Sequence, residues 1–424
     1  MEQIKLPTGE KLWQSQLPNG LSVFVLPKPG FRRTYAVIST HYGSIDSQFR
    51  REGEQVLSVP PGIAHFLEHK LFEEEEGSVF DRFADLGASV NAFTSSTQTS
   101  YLFSTTENWQ EALIQLIEFV NKPYLTDENV EKEKGIIEQE LRMYADHPQR
   151  RVYSALLEGL YQRNPIRLDI GGTVESVREI TKEQLYDCYY TFYQPGNMAL
   201  AIVGDVEPKE AHSLIAEHYP EWSHYSGPVE RFFPTEPKEV AKDWSEEEMA
   251  ISRPQYLLGF KHDPIWRGEE ILRQQLIMAI AWRLITARSS QHFNELYDKE
   301  LVSDSFGASF SCHPQFAYSV IGTDTDDPER LHDELTRIIH ELRREKLCPT
   351  ELDRLKRSLY GGHLASYDSF EYAANRVISN HFNQIPSARF LPLLSSITAE
   401  QVTAVFTNLL DWNRSSVSIL RVKG

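Results

Sequence analysis

Residues 180–203 read ITKEQLYDCYYTFYQPGNMALAIV, and residues 397–420 read ITAEQVTAVFTNLLDWNRSSVSIL. Both stretches begin with Ile-Thr-x-Glu-Gln, align without gaps and end in an apolar run. A threonine at the start is typical of a helix N-cap, and a short apolar run after a turn is typical of a buried strand. The same helix–turn–strand unit therefore occurs twice, which indicates a duplicated α+β domain.

The length of the chain agrees with two domains. A single hydrophobic core rarely grows beyond about 250–300 residues, and this chain has 424. Between Tyr225 and Glu248 the sequence is rich in prolines and charges and has little periodicity, as is typical of a linker. We predict one domain at 1–225, a linker at 226–245 and a second domain at 246–424, each a mostly antiparallel sheet packed against helices.

Local patterns predict several elements of the first domain. Pro18-Asn19-Gly20 predicts a hairpin between strands at 12–17 and 21–26, because Asn-Gly is a strong turn signal. We also predict a helix around 62–72 and a long helix from 126 to about 144, the second because acidic residues follow Thr126 in its first turn.

The composition excludes several classes of protein. The formal net charge is −18, which argues against nucleic-acid binding and fits either simple solubility or an acidic cavity that attracts cationic peptides. The three widely spaced cysteines form no disulfide framework and fit a reducing compartment. The sequence shows neither a signal peptide nor a run of about 18 apolar residues. We therefore expect a cytoplasmic protein with no nucleic-acid or membrane partner.

The candidate chemistry lies in His65-Phe66-Leu67-Glu68-His69. Residues four apart lie one helical turn apart on the same face, so His65 and His69 can bind one Zn²⁺. Glu68 lies near that face and can accept a proton from a metal-bound water without being a ligand. Because five residues also match by chance, the alternative is two surface histidines on an amphipathic helix.

A catalytic zinc needs a third protein ligand. Glu133, Ile136, Ile137 and Glu140 fall on one helical stripe. A carboxylate on a partly apolar stripe is costly without a partner, and a metal would explain its presence. We predict Glu140 as the third ligand and Glu133 as an accessory catalytic group, hydrogen-bonded to a ligand histidine.

The surroundings of this motif resemble the M16 metallopeptidases, the family of pitrilysin, insulin-degrading enzyme and mitochondrial processing peptidase. The similar segments occur in the family's order and cover the first half closely; they are Gly62–Phe72, Gly87–Thr94, Thr99–Tyr101, Glu133-(x6)-Glu140, Tyr193-x-Pro195-x-Asn197 and Gly204-Asp205. The second half is similar in layout, and the length fits half-size bacterial M16B-type subunits. The resemblance implies two homologous domains of the LuxS/MPP-like metallohydrolase type. It also implies one Zn²⁺ per chain, with the ligands His65, His69 and Glu140 and the base Glu68.

The resemblance also implies a substrate-binding strand. Residues Asn91, Ala92, Phe93 and Thr94 match the family's edge strand, to which a peptide substrate adds as a further β-strand. Backbone hydrogen bonds bind any extended peptide, so recognition would depend on an unfolded shape more than on sequence. The alternative for Asn91 is a turn residue at the end of a strand.

One segment departs from the family pattern. Relatives usually carry Ser-Arg-Leu-Phe-x-x-Leu-Arg and a Tyr seven residues after the second Arg, and this Arg/Tyr pair contacts substrate near the zinc. Here Ser290–Tyr297 reads SQHFNELY, so Tyr297 occupies the Arg position and Asp304 the Tyr position. Half-size subunits of this family often pair around a chamber. The resemblance therefore implies a heterodimer with a metal-free sister subunit that supplies the pair; a homodimer with other residues in its place is the alternative.

These features predict a zinc-dependent metalloendopeptidase that hydrolyses oligopeptides or unfolded segments in an enclosed chamber. The alternative is a zinc-binding subunit that acts mainly as a maturation or interaction module, which the missing Arg/Tyr pair favours. The acidic run Glu73–Glu76 after the motif helix is interpreted as a solvated loop.

Overall fold

A computed structural model describes residues 1–75 and 78–424 as two α+β halves, each with its own main sheet. Glu76, the last residue of the predicted acidic loop, lies outside the described residues, as does Gly77. In the rest of that loop, Glu73 and Glu74 form ion pairs with Lys70 and Arg82 and are partly buried, so these two side chains are not free in solvent. None of the helices in the described residues is long and apolar enough to span a lipid bilayer.

The strands of the described residues share short lengths and mostly antiparallel pairing. In chain order they are β1 (Glu2–Lys5), β2 (Lys11–Gln16), β3 (Ser22–Pro27), β4 (Thr34–Thr40), β5 (Gln48–Arg51), β6 (Leu57–Ser58), β7 (Ser89–Thr94), β8 (Thr99–Thr105), β9 (Met198–Gly204), β10 (Val229–Arg231), β11 (Trp244–Met249), β12 (Gln255–His262), β13 (Gly307–His313), β14 (Phe316–Asp324) and β15 (Ser415–Val422).

The helices of the described residues connect and cover these strands. In chain order they are α1 (Ile63–Lys70), α2 (Val79–Asp85), α3 (Trp109–Val120), α4 (Asp127–Ala145), α5 (Pro148–Leu160), α6 (Val174–Arg178), α7 (Lys182–Phe192), α8 (Pro208–His218), α9 (Glu269–Thr286), α10 (Gln291–Asp298), α11 (Pro328–Leu342), α12 (Pro349–Ser366), α13 (Phe370–Phe382), α14 (Phe390–Ser396) and α15 (Ala399–Ala404). The predicted hairpin corresponds to β2–β3, and the two predicted helices correspond to α1 and α4.

The second main sheet repeats the order of the last five strands of the first, β3-β9-β4-β8-β7. The first runs β1-β2-β3-β9-β4-β8-β7, and the second runs β11-β15-β12-β14-β13. In both, the last strand of the half pairs parallel with one neighbour, β9 with β3 and β15 with β11, and all other pairs are antiparallel. The predicted fold class, two related α+β domains with mostly antiparallel sheets, is confirmed.

The Ile-Thr-x-Glu-Gln repeat has a local physical cause. The Thr181 hydroxyl accepts a hydrogen bond from the backbone N–H of Gln184 at 3.3 Å, and the backbone N–H of Thr181 donates to the side-chain oxygen of Gln184 at 2.9 Å. Thr398 and Gln401 make the same reciprocal pair at 3.4 and 2.9 Å. Each pair satisfies two backbone N–H groups at a helix start, and so sets where the helix before β9 or β15 begins.

Each half contributes one helix to the sheet of the other half. Helix α13, from the second half, packs on β4 and β9, where Ala374 and Val377 share a buried cluster with Tyr35 and Val37. Helix α5, from the first half, packs on β12 and β15. A Cβ on Gly259 of β12 would lie 2.9–3.1 Å from the leucine side chains of α5, so the absent side chain permits this close approach.

The predicted linker is partly structured. Its strand β10 pairs with β5, and β11 begins at Trp244, two residues before the predicted second domain. Between them, the Glu236 carboxylate accepts hydrogen bonds from the backbone N–H groups of Gln162, Arg163 and Asn164. The segment therefore docks against the end of α5.

Candidate metal centre

Helix α1 carries the His-x-x-Glu-His motif and begins at a close backbone contact. Its N-cap, Gly62, has a φ of 91°, and a Cβ there would lie 2.3 Å from the carbonyl oxygen of Gly171. Only glycine tolerates both this left-handed backbone and this approach. The contact brings the loop 169–172 against the motif helix, beside His65.

The structure brings the three predicted ligands together. His65 Nε2 lies 3.8 Å from Glu140 Oε1, and His69 Nε2 lies 3.5 Å from Glu140 Oε2. One ligand atom from each residue lies within 4.8 Å of the others. Ligands about 2.0–2.1 Å from a tetrahedral zinc are roughly 3.3 Å apart, so the separations fit a metal with little adjustment. Among the residues that the structure describes, this is the one cluster of His, Cys, Asp or Glu side chains with such geometry.

The protonation states of the histidines suit a metal to different degrees. Burial, helped by the neighbouring His69, lowers the pKa of His65 to about 4, so its imidazole is neutral as a ligand must be. Burial also acts to lower the pKa of His69, but the hydrogen bond to Glu133 and nearby carboxylates raise it above its usual value. A cation bound at His69 Nε2 would take the place of a proton on that nitrogen and leave the hydrogen bond from Nδ1 to Glu133 intact.

Glu133 lies next to the ligand set. Its Oε1 accepts a hydrogen bond from His69 Nδ1 at 3.0 Å, which leaves His69 Nε2 free to face Glu140. Burial disfavours the charge on Glu133, but the hydrogen bond from His69 and the charges of His69 and Lys70 hold its pKa below the ordinary value. This is the arrangement that orients a metal-binding imidazole.

Glu68 lies in the same cavity. Its side chain is 8% exposed, and its Oε2 accepts a hydrogen bond from the Thr94 hydroxyl at 2.5 Å. Burial raises the pKa of Glu68, while the Thr94 hydrogen bond opposes that shift. A raised pKa makes a carboxylate a stronger proton acceptor, which suits a general base.

The predicted substrate strand is β7, which lies at the edge of the first sheet. The Ser95 N–H donates to the Gln98 carbonyl at 2.8 Å, and bonded pairs alternate along an antiparallel ladder. The backbone groups of Ala92 and Thr94 therefore point away from β8. The Ala92 N–H donates to the side-chain oxygen of Asn91 at 2.8 Å, a contact that an added strand would replace.

These residues line one cavity of about 320 Å³. It holds all of the predicted site residues except Glu133, which lies behind His69. Three further charged or polar residues line it that the sequence did not indicate: Tyr144, Arg150 and Asp169. Helical spacing could have identified Tyr144, which lies one turn after Glu140 on α4. Arg150 and Asp169 come from later segments, and no spacing links them to the motif.

Tyr297 and Asp304 occupy the two positions at which the sequence departs from the family pattern. Neither is among the described residues that line this cavity. Tyr297 is 54% exposed on α10 and stacks on Phe293 at 5.9 Å. Asp304 forms an ion pair with Arg288 at 2.8 Å. The Arg/Tyr pair of the family pattern has no counterpart at these two positions.

Comparisons with known proteins identify the family of this chain. The family model described as Insulinase (Peptidase family M16) matches residues 58–174, and the model described as Peptidase M16 inactive domain matches residues 179–359. The chain is 40% identical over 412 residues to the uncharacterized zinc protease YmfH of Bacillus subtilis, covering 96% of each chain.

Solved structures share the whole fold. An M16-like peptidase from Alicyclobacillus acidocaldarius has a TM-score of 0.95 at 36% identity, with 99% of this chain and 100% of that chain covered. The periplasmic protease PqqL from Escherichia coli has a TM-score of 0.76 at 21% identity, with 98% of this chain aligned to 48% of that one. The two family models, the relative and the shared fold lead to one conclusion: this chain belongs to peptidase family M16.

Proposed function

We propose that this chain is a zinc-dependent endopeptidase that hydrolyses oligopeptides and unfolded segments. The observation that carries the proposal is the convergence of His65, His69 and Glu140 on one point, with the Glu68 carboxyl in the same cavity. The zinc protease relatives and the membership of a peptidase family support it.

The donor set suits one Zn²⁺ per chain. Two imidazoles and one carboxylate leave room for water or substrate, as in catalytic zinc sites. Zn²⁺ held there supplies Lewis-acid chemistry, since it lowers the pKa of water and polarises a peptide carbonyl. His69 is held in the required orientation by Glu133, and His65 is kept neutral by burial.

Glu68 moves the proton in this proposal. It accepts a proton from the attacking water and then donates it to the amine that leaves when the peptide bond breaks. The hydrogen bond from Thr94 fixes the carboxyl, and burial raises its pKa.

The substrate would bind as a further strand on β7. The outward backbone groups of Ala92 and Thr94 would pair with an extended peptide, and the same segment lines the metal cavity. Because these are main-chain hydrogen bonds, folded proteins are excluded and many sequences are accepted.

The replacement Glu68→Gln tests the proposed base. The variant should bind zinc as the parent does and lose at least a hundredfold in kcat, because a general base typically contributes about 10²–10⁴-fold. The measurement is hydrolysis of a mixed library of unstructured peptides, with zinc content determined on the same samples. Glu131→Gln is the matched control, since Glu131 is exposed on α4 and pairs only with Lys134 among the described residues. Activity retained in Glu68→Gln would refute the assigned base.

We further propose that the chain pairs with a metal-free sister subunit to close a chamber. The exposed Tyr297 and the Asp304–Arg288 ion pair support this, because this chain offers no Arg/Tyr pair at those positions. PqqL is about twice as long as the matched region, which leaves room for a second unit of this size. A homodimer is the alternative assembly.

A mixed-subunit titration distinguishes the two assemblies. Peptide hydrolysis at fixed concentration of this chain should rise with added M16-type partner and level off at one equivalent. If the chain alone is fully active and no partner changes its rate, the heterodimer is excluded and the homodimer is the assembly that remains.

A second candidate is a zinc-binding subunit that acts mainly in maturation or interaction. The absent Arg/Tyr pair favours it. The retained Glu68 speaks against it, since a scaffold needs no carboxyl beside the metal ligands. Zinc bound at one equivalent without hydrolysis of any peptide, alone or with a partner, would support this candidate.

We also propose a cytoplasmic location. The three cysteines are all free, and Cys348 is exposed, as is usual in a reducing compartment. Fractionation of intact cells followed by detection of the chain checks this.

A further inference from the structure

A second cavity, of about 390 Å³, adjoins the metal cavity and shares Tyr144, Arg150 and Asp169 with it. It lies between the end of α4, the start of α5 and the segment 167–174. A group bound there would therefore belong to a substrate residue close to the metal centre. The proposed mechanism gives this cavity no role.

The cavity is lined by more positive than negative charge. Four arginines face it, Arg142, Arg150, Arg151 and Arg167, against the two carboxylates of Glu158 and Asp169. This is unexpected in a chain with 61 acidic and 43 basic residues.

Two of the four arginines already have acidic partners. Arg151 pairs with Glu247 and with Glu158 at 3.4 Å, and Arg142 lies 3.8 Å from Glu138. Arg150 and Arg167 form no ion pair with any residue that the structure describes. Among the described residues, two guanidinium groups without an ion pair therefore share the cavity with the single unpaired carboxylate of Asp169, and an excess of positive charge remains.

Arg150 is held at the boundary of the two cavities. Its guanidinium carbon lies 3.4 Å from the centre of the Tyr144 ring, so the planar group stacks on the ring. Tyr144 lies one helical turn after the predicted metal ligand Glu140 on α4. The stack orients Arg150 and leaves its N–H groups available for an acceptor.

Arg167 contributes a buried donor. It ends a short helical turn, Pro165–Arg167, and its Nε is buried without a hydrogen-bond partner among the described residues. A buried donor without an acceptor is costly, and an anionic ligand would relieve that cost. The apolar walls, which include Leu141, Leu168 and Val174, would accommodate the carbon chain that carries the anion.

We propose that this cavity is a substrate subsite that binds a carboxylate of the peptide through Arg150 and Arg167. The proposal rests on the proposed peptidase function and adds a substrate class to it: peptides with a carboxylate close to the cleaved bond. The carboxylate can come from an acidic side chain or from the C-terminus, since both present the same two oxygens to a guanidinium group.

Binding measured without turnover tests the subsite. The protein is the full chain with Glu68→Gln, and the probes are neutral, fluorescein-labelled decapeptides in which one Glu, or one Gln as its neutral match, occupies each position in turn. Each peptide is made as the free acid and as the C-terminal amide. Fluorescence anisotropy gives Kd in the presence of zinc and in the presence of a chelator. A preference for acidic peptides that disappears with the chelator would show that the metal, and not the arginines, binds the carboxylate.

Replacing each arginine identifies the residues that bind. We expect Glu at one position, or the free C-terminus, to bind about tenfold more tightly than its neutral match, as charge-assisted hydrogen bonds would give. Arg150→Gln and Arg167→Gln should each reduce that ratio towards one. Arg253→Gln, which removes a partly buried arginine outside both cavities that is paired with Asp326, should preserve it.

The outcomes separate the subsite from the peptidase function. Dependence on the position of Glu identifies a side chain as the source, and dependence only on amidation identifies the C-terminus. The proposal is overturned if acidic and neutral peptides show no difference in binding, or if the preference survives both arginine replacements. Preferential binding without cleavage by the parent chain, either alone or with an M16-type partner, would overturn the peptidase function alone, and cleavage without preference would overturn the subsite alone.

Discussion

Lys70 places a buried positive charge beside the candidate metal centre. Its side chain has no exposed surface, and its ammonium group contacts the Glu73 carboxylate, the Asn129 carbonyl at 3.2 Å and the Glu133 carboxylate at 3.8 Å. Glu133 in turn orients His69. Lys70 thus balances the carboxylate that holds a predicted ligand.

Replacing this lysine should cost stability as well as metal affinity. Lys70→Met removes the cation and leaves the buried Glu133 carboxylate less compensated, so we expect the free energy of unfolding to fall by about 2–4 kcal/mol. Urea denaturation of the metal-free chain measures it. Lys122→Met is the control, because Lys122 is 69% exposed and pairs with Glu118 at 3.7 Å on the surface; it should change stability by less than about 0.5 kcal/mol. Equal effects of the two replacements would contradict this role.

The individual site residues differ in how far sequence could predict them. His65 and His69 follow from helical spacing, and Glu140 from its stripe on α4 together with the family resemblance. The place of Arg150 in the cavity could not be predicted from sequence. It depends on contact with the ring of Tyr144 and on the loop 169–171, which lies in the same cavity although it is distant in sequence from the motif. The net charge of −18 also gave no sign of an arginine-lined cavity, since a sum over the chain says nothing of position.

At the scale of elements, β7 is the edge strand that lines the candidate metal cavity. The replacement Ala92→Pro would remove one outward N–H while leaving the hydrogen bonds to β8, because proline is tolerated on edge strands. If a peptide adds to β7, kcat/KM should fall about tenfold through the loss of a backbone hydrogen bond. The measurement is peptide hydrolysis at low substrate concentration. Ala92→Val retains the N–H and should stay near the parent value; an equal loss in both variants would argue for a steric effect instead.

The helices show what local patterns determine and what they leave open. Thr126, Thr181 and Thr398 cap helices where the sequence predicts a helix start. The apolar faces of α5 and α13 are also evident from spacing. The sheet that each face covers is not, because periodicity defines a buried face without identifying its partner.

At the scale of the whole molecule, the two halves depend on each other, because α5 and α13 each pack on the sheet of the opposite half. A fragment of residues 1–225 would lack α13 and would expose the face of β4 and β9 that this helix buries. We expect this fragment to aggregate or to bind a hydrophobic dye strongly, and to become soluble when residues 226–424 are co-expressed. Size-exclusion chromatography of the two preparations checks this. A monomeric, cooperatively unfolding 1–225 fragment would contradict it.

The position of α13 in the chain has a consequence for synthesis on the ribosome. The last strand of the first sheet ends at Gly204, and the helix that covers this sheet ends at Phe382. At about 5–20 residues per second, the roughly 180 residues between them take on the order of 10–35 s to emerge. During that interval the apolar face of β4 and β9 is not yet buried by α13. The nascent chain should therefore be a client of ribosome-associated chaperones, which would bind it most when the first half is complete and the second is not.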